Sequence, residues 1–80
     1  MSIDKDAETP PYLQLVSILR SKIESGELRL GARLPALTDL MHEYDLSRNT
    51  VRRAIAALAD EGLVRTRPGW GTFVAPADDR

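Results

Sequence analysis

The sequence predicts a mainly helical α+β domain in which three helices are followed by a two-stranded β-hairpin. Three segments repeat apolar residues at helical spacing, the spacing changes to strict alternation after Leu63, and proline, glycine or a capping residue stands at nearly every boundary. Eighty residues, 42% of them hydrophobic and none in a low-complexity tract, suit one small domain. At that size a fold buries roughly 60% of the surface its unfolded chain exposes, so the core is modest.

Residues 1–9 carry Asp4, Asp6 and Glu8 and little that can pack, and they are expected to form a flexible arm. The domain itself is expected over residues 10–76, with a frayed polar tail at 77–80. Pro10-Pro11 fixes an extended approach and ends at the first-turn position where a helix tolerates proline. The first helix is predicted over Pro11–Ser25, with Tyr12, Leu15, Val16, Leu19 and Ile23 on one buried stripe and Gly26 as a left-handed stop. Glu27 to Pro35 holds Gly31 and a rough alternation through Leu28, Leu30 and Leu34, too short for a helix. It reads as a loop with room for a short extra strand near residues 32–34.

Pro35 then precedes a second helical pattern through Leu37, Leu40, Met41 and Tyr44. It is expected to end near Tyr44, where Asp45 tolerates a turn, Leu46 is an apolar plug and Ser47 is a strong N-cap type. The third helix therefore starts at Arg48, runs through the Ala-rich segment 54–59 and stops at Gly62. A helix turns about 100° per residue, so Val51, Ile55 and Leu58 form its core stripe with Ala54 on the edge, while Asn49, Arg52, Arg53 and Ala56 face away. Asp60 and Glu61 sit at the negative end of the helix dipole, away from the Arg-bearing start. From Leu63 the pattern is that of a hairpin: Leu63 to Arg67, a turn at Pro68-Gly69-Trp70-Gly71, then Thr72 to Ala75. Pro68-Gly69 suits the central pair of a type II turn, and Arg65 and Arg67 alternate onto one face.

The chemistry is concentrated at Ser47-Arg48-Asn49-Thr50-Val51-Arg52-Arg53. Arg can donate two hydrogen bonds to a guanine edge or a phosphate, Asn can do so to adenine, and a small residue such as Ala56 lets a helix lie close to a groove. By itself the same pattern also fits a solvated charged face; the surrounding motifs decide between the two. The formal net charge of −1 argues against a general nucleic-acid binder, but the charge is polarised. Residues 1–45 hold five Lys or Arg against eight Asp or Glu, whereas residues 46–77 hold five Arg against only Asp60 and Glu61. Exposed charges farther apart than about 8 Å are largely screened at physiological salt, so the cationic half can still meet a polyanion, with modest, salt-sensitive affinity.

Other function classes fail on inventory. There is no Cys, which removes disulfides, thiolate metal sites and cysteine nucleophiles. His42 is the single His, and with Met41 and Glu43 beside it builds neither a triad nor a zinc pattern, so neither catalysis, a metal nor a cofactor is expected. Gly69-Trp70-Gly71 lacks the third glycine and the strand-to-helix context of a phosphate loop. No apolar run approaches the roughly 20 residues of a membrane span, and residues 1–9 are unlike a secretory signal, so a cytoplasmic location is expected.

Three helices and a hairpin, with the basic residues on the third helix and the hairpin, is the layout of a winged helix-turn-helix. The sequence also resembles the DNA-binding domain of GntR-family bacterial transcription regulators from Tyr12 to Ala75. The matching runs are Ser25-Gly26-Glu27-Leu28, Gly31-Ala32-Arg33-Leu34-Pro35, Leu46 through Arg52, Leu58 through Val64, and Gly69 through Val74. The resemblance implies that Arg48, Asn49, Thr50 and Arg52 reach bases and phosphates in the major groove, and that Gly69 approaches the minor groove at the wing tip. With Ser47, Arg53, Arg65, Arg67, Trp70 and Thr38 these make up the expected DNA-contacting set. The chain departs from the family at Leu37-Thr38, where Glu-Arg is usual, so the second helix's contact is expected to be weakened. It departs again at Trp70, where a basic or small residue is usual.

The partner implied is a double-stranded operator of two-fold symmetry, bound by a repressor. Full members usually carry a larger C-terminal domain that binds an effector and dimerises. This chain is expected to be the N-terminal part of such a regulator rather than a stand-alone one, because a monomer grips only one half-site and a homodimer without that domain would be weak. The competing expectation is a winged-helix module that binds another protein, to which the exposed Trp70 and the net charge lend some weight.

Overall fold

Pro10 adopts φ −56° and ψ 146°, and Pro11 fills the first helical position, where a missing amide costs nothing; helix α1 runs Pro11–Ser25 from there. It stops at Gly26, whose φ of 86° is left-handed and whose amide returns to the Ile23 carbonyl. The computed structural model describes residues 2–75, in which α2 (Leu37–Tyr44), α3 (Arg48–Asp60), β1 (Val64–Arg67) and β2 (Gly71–Val74) follow in order. The tail expected at 77–80 lies outside the described residues, as does residue 76.

The core is built where α1 and α3 meet, the most extensive contact between helices. Leu15, Val16, Leu19 and Ile23 of the expected α1 stripe are buried, Ile18 joins them, and Tyr12 stays half-exposed at the helix start. On α3 the buried line is Val51, Ala54 and Leu58, all with no exposed surface. This corrects the expected stripe of Val51, Ile55 and Leu58, which put Ala54 at the edge. Two helices approach closely where the contacting side chain is small, so the alanine takes the centre. Ile55 is displaced to the flank, where it is half-buried beside Leu37, Thr66 and Thr72.

The α2–α3 turn has the expected anatomy. Asp45 sits at φ 54° and ψ 54°, a left-handed conformation that Asp tolerates better than most side chains. Leu46 is 9% exposed and its amide bonds the Met41 carbonyl at 2.9 Å. Ser47 then caps α3, its hydroxyl accepting from the Thr50 amide at 3.2 Å. At the far end, Arg20 of α1 donates to Glu61 through Nε (3.1 Å) and Nη2 (2.5 Å). That hydrogen bond, and then the carboxylate charge, raise the Arg20 guanidinium above its ordinary pKa. The pairing offsets the unfavourable dipole position of Glu61, a compensation that lies 41 residues away in sequence.

Strands β1 and β2 are antiparallel, with Val64 opposite Val74, Arg65 opposite Phe73, Thr66 opposite Thr72 and Arg67 opposite Gly71. Gly69 at φ 80° follows Pro68, and the Trp70 amide bonds the Arg67 carbonyl at 2.9 Å, as a type II Pro-Gly turn requires. The short strand expected near residues 32–34 is reduced to a single bridge, Arg33 to Phe73. Flanking bonds still hold the segment to the free edge of β2: Gly31 amide to Val74 carbonyl, Val74 amide to Ala32 carbonyl and Leu34 amide to Thr72 carbonyl, each 2.8 Å. The left-handed Gly31 (φ 82°) starts this segment and Pro35 follows it, leaving too few residues for a longer strand.

Residues 2–9 pack more than their composition suggests. Ile3 is half-buried against the core, and Gln14 of α1 holds the segment by accepting from the Asp4 amide (2.8 Å) and donating to the Asp4 and Thr9 carbonyls (2.7 Å each). Lys5 also pairs with Asp45 at 3.0 Å, largely in solvent and hence worth little.

Candidate nucleic-acid interface

Helix α3 rests on the core through Val51, Ala54 and Leu58, so geometry forces Asn49, Arg52, Arg53 and Ala56 outward, and all four are exposed. Arg48 and Asn49 occupy the first turn, just after the cap. Ser47 and Thr50 are occupied with each other: besides the cap bond, their hydroxyls lie 2.9 Å apart. They fix the start of the helix, which aims the two residues between them.

The two flanks of α3 differ. Arg52, Ile55, Ala56 and Ala59 line a groove of about 360 Å³ that is closed on the other side by Leu37 of α2 and by Thr66 and Thr72 of the hairpin. The threonine hydroxyls are 3.3 Å apart across the strands. Thr38, next to Leu37, is exposed at the start of α2, whose N-cap Ala36 offers no side-chain bond. On the opposite flank Arg53 turns towards α1, its guanidinium carbon 4.0 Å from the centre of the Tyr12 ring. That stacking fixes a long flexible side chain over a rigid surface. The sequence puts Tyr12 on the buried stripe of α1, and its spacing from Arg53 gives no hint of the contact.

The hairpin separates its residues as the pleat dictates. Thr66 and Thr72 face the α3 groove, while Arg65 and Arg67 lie with Phe73 on the other face. The structure therefore sets Arg52 beside the inner wing, leaves Arg48 and Asn49 exposed about one turn before it, and turns the two wing arginines away from α3. Arg33, which the sequence did not single out, joins their face through its bridge to Phe73. Gly69 and Trp70 form the tip. Trp70 is 68% exposed, and among the described residues its ring contact is a loose one, with Arg67 at 5.7 Å.

A capped, outward-facing third helix behind a two-helix turn, flanked by a Pro-Gly hairpin, defines a winged helix-turn-helix protein. The family model described as bacterial regulatory proteins, gntR family, matches residues 11–74. The chain belongs to that family. HTH-type transcriptional repressor NagR of Bacillus subtilis (strain 168) is 37% identical to it over 75 residues, covering 94% of this chain and 31% of that protein. The arabinose metabolism transcriptional repressor of Geobacillus stearothermophilus is 37% identical over 71 residues, covering 89% of this chain and 20% of that protein. This chain thus spans less than a third of the length of these curated relatives. Among solved structures, AraR(DBD) in complex with operator ORX1 superposes with a TM-score of 0.82 at 36% identity, over 84% of this chain and 81% of that one. YtrA from Sulfolobus acidocaldarius, a GntR-family transcription factor, gives a TM-score of 0.84 at 28% identity, over 96% and 65%.

Proposed function

We propose that this chain is a sequence-specific double-stranded DNA reader that acts as a transcriptional repressor. The observation that carries it is the outward face of α3, where Arg48, Asn49, Arg52 and Ala56 are all exposed, and Ser47 caps the starting turn. In this reading α3 enters the major groove N-terminus first. Arg48, Asn49 and Arg52 take base edges, and Thr50 and Arg53 meet the backbone beside them. The wing follows into the adjacent minor groove, Gly69 and Trp70 leading and Arg65 and Arg67 on phosphates. Thr38 stands where α2 nears the backbone but brings no charge. A protein-docking face is disfavoured because α3 shows solvent no aromatic or large aliphatic side chain on its outer line.

The structure of AraR(DBD) with an operator supports DNA as the partner class. The operator is proposed to be two-fold symmetric and bound by two copies, because one copy of this size covers a single half-site. Repression follows from occupancy of a promoter-proximal site, with no catalytic step, metal or cofactor in the scheme. The site of action is the cytoplasm; among the described residues no helix is long and apolar enough to cross a membrane.

Selection from random duplex with the purified chain tests this reading. An enriched half-site, repeated in inverted orientation about one DNA turn away, is the expected result. Affinity for it should fall steeply with salt, as a protein releasing several phosphate counterions must. No enrichment above the input pool, or salt-insensitive binding, refutes it.

A further inference from the structure

On the hairpin face turned away from α3, Arg33 and Arg67 sit on either side of Gly71. Strand pairing puts Arg67 opposite Gly71, and the bridge to Phe73 carries Arg33 along the other edge of β2. Gly71 has φ 118°, and a Cβ placed on it would fall 2.7 Å from Arg33 Nε and 3.2 Å from Nη2. The Arg33 guanidinium therefore lies over bare backbone, in space any other residue at position 71 would fill. Both arginines are exposed, and among the described residues the ion pairs engage Lys5, Arg20 and Lys22 but neither of these two. Strand pairing sets Arg67 across from the glycine that the Arg33 guanidinium covers, so the two cations share one face of the hairpin, and a bound anion offsets their like charge. Their planar forks match the oxygens of a phosphate in particular.

We propose that Arg33 and Arg67 form a phosphate site, and that it grips the DNA strand on the far wall of the minor groove from α3. The proposal rests on the DNA-binding reading above. A minor groove is about 6 Å wide, so a two-stranded ribbon whose tip enters it turns one face to each wall. Here the inner face carries the uncharged Thr66 and Thr72, and the outer face carries Arg33, Arg65 and Arg67. The wing is thus cationic towards one wall alone. Trp70, beside Arg67 at the tip, marks the end of the site nearest the bases. Arg33 contributes although it belongs to the loop before α2 rather than to the wing.

The test uses the duplex obtained by site selection, intact and with the far-strand minor-groove phosphates replaced in turn by uncharged methylphosphonates. Parent, Arg33→Gln and Arg33→Lys are titrated at several salt concentrations. Arg33→Gln should bind the intact duplex about tenfold more weakly, with a log–log salt slope shallower by about one, and with its sequence preference unchanged. A neutral linkage at the gripped phosphate should cost the parent a similar factor and the variant almost nothing. Arg33→Lys should restore the slope but only part of the affinity, because a point charge replaces a fork. If Arg33→Gln keeps the parent's affinity and slope, the phosphate site is wrong while DNA binding stands. A variant that binds weakly yet remains as sensitive as the parent to every neutral linkage also overturns it, since Arg33 would then act only on the fold. A parent that selects no duplex at all removes both readings together.

Discussion

Ser47→Ala isolates the contribution of the α3 cap to stability and to reading. Ser47 is exposed, so the substitution loses no packing; it loses the bond from the Thr50 amide at 3.2 Å and the contact with the Thr50 hydroxyl at 2.9 Å. Removing an N-cap of this kind costs about 0.5–2 kcal/mol, typically near 1. For a domain of 60–100 residues each kcal/mol lowers the melting temperature by roughly 4–8 °C. A drop of about 4–8 °C, followed by circular dichroism, is therefore expected. Helix α3 will survive because Val51, Ala54 and Leu58 still hold it to the core; its first turn will fray. Arg48 and Asn49 ride on that turn, and re-ordering it on DNA should weaken binding by about fivefold for a 1 kcal/mol cap. Ser47→Asp separates the two effects. An Asp cap is as good as Ser and favours the positive end of the helix dipole, so the melting temperature should recover. In the proposed docking its carboxylate would face the phosphates, so affinity should fall below that of Ser47→Ala. If Ser47→Ala melts with the parent, the cap does not hold this helix; if Ser47→Asp binds as tightly as the parent, α3 does not enter DNA by its N-terminus.

Arg48→Ala and Arg52→Ala should each lose about 1–3 kcal/mol of specific binding with the fold intact, and the selected site should relax at the base each one reads; binding at parental strength by either variant excludes it as a reader. Arg65→Ala should instead lower affinity evenly across sequences, which competition with random duplex would reveal. Trp70 is the sole Trp, and at 68% exposure its emission should be water-like and open to iodide in the free protein, then shielded by specific duplex. Trp70→Ala should weaken binding while leaving thermal stability within about 0.5 kcal/mol; the reverse pattern would make the residue structural. Tyr12→Phe keeps the ring beneath Arg53 and should bind DNA as the parent does, whereas Tyr12→Leu frees the guanidinium and should weaken binding without changing the base preference. Equal affinities for the two variants would show that the stacking does not position Arg53.

Local chemistry wrote most of the fold into the chain. Pro11 and Gly26 bound α1, Asp45 and Ser47 make the tight turn, and Pro68-Gly69 closes the hairpin, because each of these acts on its own backbone or on neighbours three or four residues away. The outward face of α3 was equally legible, since a helix with three buried positions leaves no choice about where Asn49, Arg52 and Arg53 point. Tertiary packing alone decided the rest. Ala54 is fully buried on α3 where Ile55 is only half-buried, because close helix approach rewards a small side chain, which periodicity cannot weigh. Gln14 tied down residues 2–9, Arg20 answered Glu61, and Tyr12 received Arg53 across separations of up to 41 residues, where sequence spacing carries no signal. The division of the hairpin came from the same source: alternation put Arg65 and Arg67 on one face, but only the docking of the hairpin against α3 determined that this face points away from the helix, and only the pairing of residues 31–34 with β2 brought Arg33 onto it.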